Sequence, residues 1–202
     1  MLKITPAIAA LFITAATFTC SASAGLVGVK DIKVTKTAGS TQYIQISELQ
    51  AFQTGTGADV ALASAGAVAT APSTWNSEST PAKAIDGLFS NLTFPNMFHN
   101  RGDVAGEFLN ISLSAPAELS SVTIYGRSDC CSFRDIFDVS FFGANGNLLF
   151  TELGANATNA QTHMVSFALP NTAVPEPSSI ALLGFGILGL VASRRKRLRT
   201  RA

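Results

Sequence analysis

Long apolar runs, histidine and cysteine are all scarce in this 202-residue chain, and each scarcity excludes something. Two histidines, His99 and His163, are too few for a histidine-rich metal centre, and three cysteines rule out a disulfide-dense scaffold. There is no Ser-His-Asp order, no glycine loop that could cradle a nucleotide, and no Asp/Glu pair that stands out for hydrolysis. No internal repeat and no convincing amphipathic helix is visible. The longest apolar stretch near the C-terminus, Ile180–Ser193, reaches only about 21 Å as a helix, short of the roughly 30 Å hydrocarbon core. Between residues 25 and 173, seven Lys/Arg face twelve Asp/Glu. A net charge of −5 makes this region a poor partner for nucleic acid.

The ends of the chain read as addresses. Met1–Ala24 carries Lys3, an apolar run from Ala7 to Phe18, and the small-residue ending Ala22-Ser23-Ala24, which together make a secretory signal peptide cleaved after Ala24. Thr17-Phe18-Thr19 lacks the small residues that a lipoprotein site at Cys20 carries. Cys20 therefore leaves with the signal, and Cys130 and Cys131 remain as an even pair in an oxidising compartment. The C-terminal segment 174–202 has three parts: Val174-Pro175-Glu176-Pro177, the short apolar helix, and the basic run Arg194–Arg199. Snorkelling arginines bring the helix near spanning length, with the basic end in the cytoplasm and residues 25–173 on the far side.

About 150 residues remain between these ends, enough for one domain with a proper core. Leu109, Ile111 and Leu113 alternate with polar residues, and the same period of two continues in Val122/Ile124 and in Phe137/Val139/Phe141. Leu148–Phe150 and Val165–Leu169 add short strands. In Tyr43–Phe52, Ile44 and Ile46 have one parity and Leu49 and Ala51 the other, so a bulge is expected at Ser47-Glu48. Asn156–Thr162 and Ala58–Ser73 read as loops or weak strands. The expected fold is all-β, an antiparallel β-sandwich.

Arg127-Ser128-Asp129-Cys130-Cys131-Ser132-Phe133-Arg134 is the segment richest in chemistry. Adjacent cysteines have Cα atoms about 3.8 Å apart, below the roughly 4.4 Å at which ordinary disulfides begin. A bond between them would close a tight ring with a flat sulfur face; a bond across molecules is the other option. The two arginines are permanent, planar hydrogen-bond forks. They could hold a ligand, or pair with Asp129, Asp135 or Asp138. A zinc site with His99 and His163 is disfavoured, because adjacent residues rarely chelate one tetrahedral ion.

Two resemblances follow from these residues. The tripartite C-terminus resembles the PEP-CTERM sorting signal of Gram-negative bacteria. That implies processing at Pro175-Glu176-Pro177 by an exosortase, transit through the inner membrane, and a destination at the cell surface, outside the cell or in an exopolysaccharide-rich biofilm matrix. The order Ala84-Ile85-Asp86-Gly87, Phe98-His99-Asn100, strand, Arg127–Arg134 loop resembles the fucolectins (F-type lectins) of the galactose-binding-like, discoidin-type jelly-roll fold. The resemblance implies a carbohydrate-binding protein, not an enzyme, with a fucose-like glycan as ligand. By it His99, Arg127 and Arg134 donate hydrogen bonds to the sugar, and a Cys130–Cys131 disulfide packs on its apolar edge. The spacing departs from the family: 27 residues separate His99 from Arg127 where 24 are usual. The resemblance also implies a structural Ca²⁺ held by Asp86 and by Glu48, the latter from a strand that closes the domain in the family but comes first here, as in a circular permutation. Lys83 and Leu88 stand where the family often has asparagine. A structural surface or matrix protein without a sugar site is the alternative function.

Overall fold

The computed structural model describes residues 25–38, 43–102, 105–171 and 187. The expected signal segment and the sorting segment with Pro175, Glu176 and Pro177 lie outside the described residues, as does the expected apolar C-terminal helix apart from Ile187. Among the described residues no helix is long and apolar enough to cross a membrane.

The described residues form nine strands and three short 3-10 turns, the strands being β1 (Leu26–Lys36), β2 (Gln45–Ile46), β3 (Glu48–Gln53), β4 (Val68–Thr70), β5 (Phe98–His99), β6 (Leu109–Tyr125), β7 (Ile136–Gly143), β8 (Leu148–Asn156) and β9 (Met164–Ala168). Every pairing between them is antiparallel. Seven strands form one sheet whose main path is β3-β6-β1-β7-β8, with β4 and β9 also on β6; β2 and β5 form a separate pair.

β6 organises this sheet. The sequence reading expects two strands around Leu109–Leu113 and Val122–Ile124; they are one strand of 17 residues with an exposed Ser114-Ala115-Pro116 in the middle. Proline has no ladder donor, and it is tolerated where the strand bends into solvent. The first half lies between β1 and β4, Ile111 pairing with Ile32 and Ala69. The second half lies between β3 and β9, Ile124 pairing with Leu49 and Val165. Both halves feed their buried side chains into one core with Ile32, Val34, Leu49, Phe137, Val139 and Phe141. Full burial of each such side chain contributes roughly 1.5–3 kcal/mol. β7 and β9, on separate branches of the sheet, also meet in this region, where the rings of Phe141 and Phe167 lie 6.5 Å apart.

Three local irregularities depart from the expected pattern. β1, central between β6 and β7, has register shifts on either side of Val29 that break its apolar period. β8 runs six residues past the expected Phe150, because the register slips between Phe137 and Val139 and Gly154 takes a left-handed φ of 66°. The expected bulge at Ser47-Glu48 is a change of partner: Gln45 and Ile46 pair with His99 and Phe98, whereas Glu48 pairs with Tyr125. Ser47 seals the crossing with its N–H on the Tyr125 carbonyl at 2.8 Å and its Oγ on the Gly126 carbonyl at 2.9 Å. The parity of the apolar residues flips because the strand changes sheet.

Candidate functional site

The segment from Gly126 to Asp135 joins β6 to β7 and is anchored at both ends. Gly126 donates its N–H to the His163 carbonyl at 2.7 Å, and a side chain there would collide with the Asp135 carboxylate. Asp135 is fully buried, and its Oδ2 accepts the Arg127 N–H at 2.7 Å. Burial pushes the Asp135 carboxyl up to about 7, although the Arg127 N–H and both guanidiniums pull it down. Further along, the Ser128 N–H and hydroxyl both donate to the Leu92 carbonyl, at 2.8 and 3.1 Å. Cys131 takes the left-handed conformation, φ 62°, and leads into a 3-10 turn over Ser132–Arg134. Cys130 and Cys131 are joined as a disulfide, which removes both from any zinc site.

The two arginines are held differently. Arg127 is clamped: its Nε and Nη2 donate to Asp129 at 2.7 and 3.1 Å, and its Nη1 donates to Gln45 Oε1 at 3.0 Å. These hydrogen bonds hold the Asp129 carboxyl below its ordinary range. Three of the five guanidinium N–H groups are thereby used, and two remain for a ligand. Arg134 lies 5.4 Å from the ring centroids of Tyr43 and Phe133, within cation–π range, and its Nε is buried with no hydrogen-bond partner among the described residues. Among the expected pairings, Arg127–Asp129 forms, whereas Asp135 meets Arg127 through the backbone.

His99 reaches these groups in spite of its longer spacing. It sits on β5 opposite Gln45, 5% exposed, and shares one cleft of about 320 Å³ with Arg127, Cys130, Cys131 and Arg134. Its Nδ1 lies 2.7 Å from the Asn100 carbonyl, which can only accept, so Nδ1 carries the proton. Desolvation, with the two nearby guanidiniums, lowers the pKa of the ring and keeps it neutral. Nε2 is then a bare acceptor. The resemblance implies a donor at this position, and the Asn100 contact reverses the role.

Tyr43, Trp75 and Phe94 complete the lining of the cleft, and the sequence reading singled out none of them. Their ring centroids lie 5.2, 5.2 and 6.1 Å from that of His99. Trp75 is the chain's single tryptophan and stands in a Ser/Thr-rich stretch where no core needs it. An isolated aromatic in such a setting was the available signal. Gln45, fully buried behind Arg127 with its Nε2 lacking a partner among the described residues, carried no such signal.

Glu48 and Asp86, the expected metal ligands, are brought together. Glu48 is fully buried, and both its oxygens accept the Gly87 N–H, at 3.2 and 3.1 Å. Burial pushes it up to about 8; the Gly87 N–H opposes this, and the charges of Asp86 and Asp59 add to it. Asp86 caps the 3-10 turn Pro81–Ile85 and lies 3.8 Å from the Nζ of the half-buried Lys83. Crowded carboxylates around a buried acid suit a hard cation in kind and in charge. Among the described residues, however, no three His, Cys, Asp or Glu side chains cluster as a metal site. A cation here would complete its shell with carbonyl oxygens.

Comparison with known families addresses the end of the chain. Residues 173–196 match the PEP-CTERM protein-sorting motif. The chain carries a PEP-CTERM sorting signal. PEP-CTERM proteins are exported and sorted to the cell surface, and the motif implies processing by an exosortase. The β-domain ahead of it has no lectin-family match, and no curated protein or solved structure matches the chain.

Proposed function

We propose that the exported β-domain is a carbohydrate-binding module of jelly-roll type, with a fucose-like glycan as leading ligand, displayed at the cell surface or held in exopolysaccharide. The observation that carries this is the composition of one cleft. Two guanidiniums, an imidazole acceptor, a disulfide face and three aromatic rings converge there. A sugar hydroxyl is both donor and acceptor, so it can accept from Arg127 or Arg134 while donating to His99 Nε2. The disulfide and the rings supply apolar surface for the ring's C–H faces. Among the described residues no Asp or Glu lines the cleft, whereas glycoside hydrolysis uses two carboxylates, and this supports holding a sugar over cleaving it.

Calcium is part of the same reading. Glu48 and Asp86 would hold it through carboxylate oxygens, and its charge would offset theirs and fix the Asp-Gly turn beside β3. One module holds one sugar weakly, so useful avidity comes from many copies on a surface.

The experiment is a glycan array with the oxidised protein, alongside Arg127→Ala and Arg134→Ala. Binding lost in both variants, with thermal unfolding still cooperative, is the expected result. A folded wild-type protein that binds no glycan would instead favour a structural surface or matrix protein, for which the Arg127–Asp129–Gln45 clamp serves only to brace the loop.

A further inference from the structure

A second hollow opens beside the first. Thr70, Pro72, Ser73, Thr74, Pro81 and Arg101 line an open cleft of about 530 Å³. The two clefts share a wall built from two stitched segments. The Trp75 N–H donates to the His99 carbonyl at 2.7 Å, and the Arg101 N–H donates to Ser73 Oγ at 2.9 Å. Trp75 and His99 face the first cleft, Ser73 and Arg101 the second. Ser73 is itself locked, its Oγ lying 2.9 Å from both carboxylate oxygens of Glu107. Trp75, 50% exposed, lines the first cleft directly after Ser73 and Thr74 of the second.

The lining repeats the chemistry of the first cleft with different residues. The hydroxyls of Thr70 and Thr74 donate and accept, the Arg101 guanidinium donates, and Pro72 and Pro81 offer rigid apolar faces. Residues of this kind match a pyranose, which alternates hydroxyls with C–H patches. Among the described residues no carboxylate lines this hollow.

We propose that this hollow is a second saccharide subsite. It takes the sugar next along the chain from the one held between Arg127, Arg134 and the dicysteine, with the oligosaccharide crossing at Trp75. The proposal rests on the carbohydrate reading of the first cleft and narrows the ligand from a lone terminal sugar to an extended glycan.

Because Trp75 is the only tryptophan, intrinsic fluorescence reports occupancy at the junction of the two clefts. The test titrates the whole exported protein with L-fucose and with 2′-fucosyllactose, in wild type, Arg101→Ala and Thr74→Val. A charge-assisted hydrogen bond in the second cleft predicts the trisaccharide to bind about tenfold more tightly than fucose. Arg101→Ala should erase that advantage and leave fucose affinity unchanged, and Thr74→Val should erase part of it. Equal affinity for the two sugars, or an advantage that survives Arg101→Ala, overturns the second subsite and leaves the first cleft standing. Binding of neither sugar overturns both readings.

Discussion

Replacing Asp135 by asparagine removes a titrating group from beneath the arginine loop and changes little in shape. The amide oxygen can still accept the Arg127 N–H that Asp135 Oδ2 now takes at 2.7 Å. Burial lifts the Asp135 carboxyl from 3.8 to about 7. An acid that holds its proton more tightly folded than unfolded favours the fold while both states are protonated, below about pH 4. That advantage is lost as pH rises from about 4 to about 7, where the unfolded chain has released the proton and the folded chain has not. The full swing is about 4 kcal/mol. His99 acts in the opposite sense: with its pKa lowered, it costs stability as pH falls below 6.5. Glu48 acts in the same sense as Asp135. Both are common to wild type and Asp135→Asn, so the difference between their urea-unfolding curves isolates Asp135. The two proteins should have similar stability near pH 4, and the variant should be more stable by up to about 4 kcal/mol at pH 8. Curves that run parallel across this range would refute the reasoning, as would a variant that is weaker at pH 8.

Three further predictions concern the same region. Gly126→Ala forces a methyl group against the buried Asp135 carboxylate; a loss of roughly 1–3 kcal/mol, as for other overpacked sites, is expected in urea midpoints. Because burial lowers the His99 pKa, glycan binding should hold at pH 6.5 and weaken only at more acid pH, where protonation turns its Nε2 from acceptor to donor; isothermal titration in steps from pH 7.5 downward checks this, and the change should be absent in a His99→Gln variant that still binds. If Glu48 and Asp86 hold calcium, a chelator should lower the Tm of wild type, and Glu48→Gln should remove that sensitivity.

Much of the fold was legible because its strands obey the period of two, as Leu109/Ile111/Leu113 and Phe137/Val139/Phe141 do. β1 escaped notice because the slips around Val29 break that period in the strand at the sheet's centre. The union of two expected strands into β6 was hidden by Pro116, which punctuates a bend rather than an end. The phase change at Ser47 was visible, but a parity flip is the same whether a strand bulges or changes partner. In the site, chemistry-bearing residue types in one short loop could be read directly. Tyr43, Trp75 and Phe94 come from three distant segments, and only tertiary packing joins them to His99.

The position of β1 bears on how the chain reaches its folded state. It is the first strand of the described domain, yet its partners are Leu109–Leu119 of β6 and Phe137–Gly143 of β7. Synthesised amino end first, it waits unpaired until β6 and β7 have been made. Long-range pairing of this kind makes folding slow. Such slow assembly leaves the apolar residues of β1 exposed for longest, Ile32 and Val34 among them, until the partners that bury them arrive.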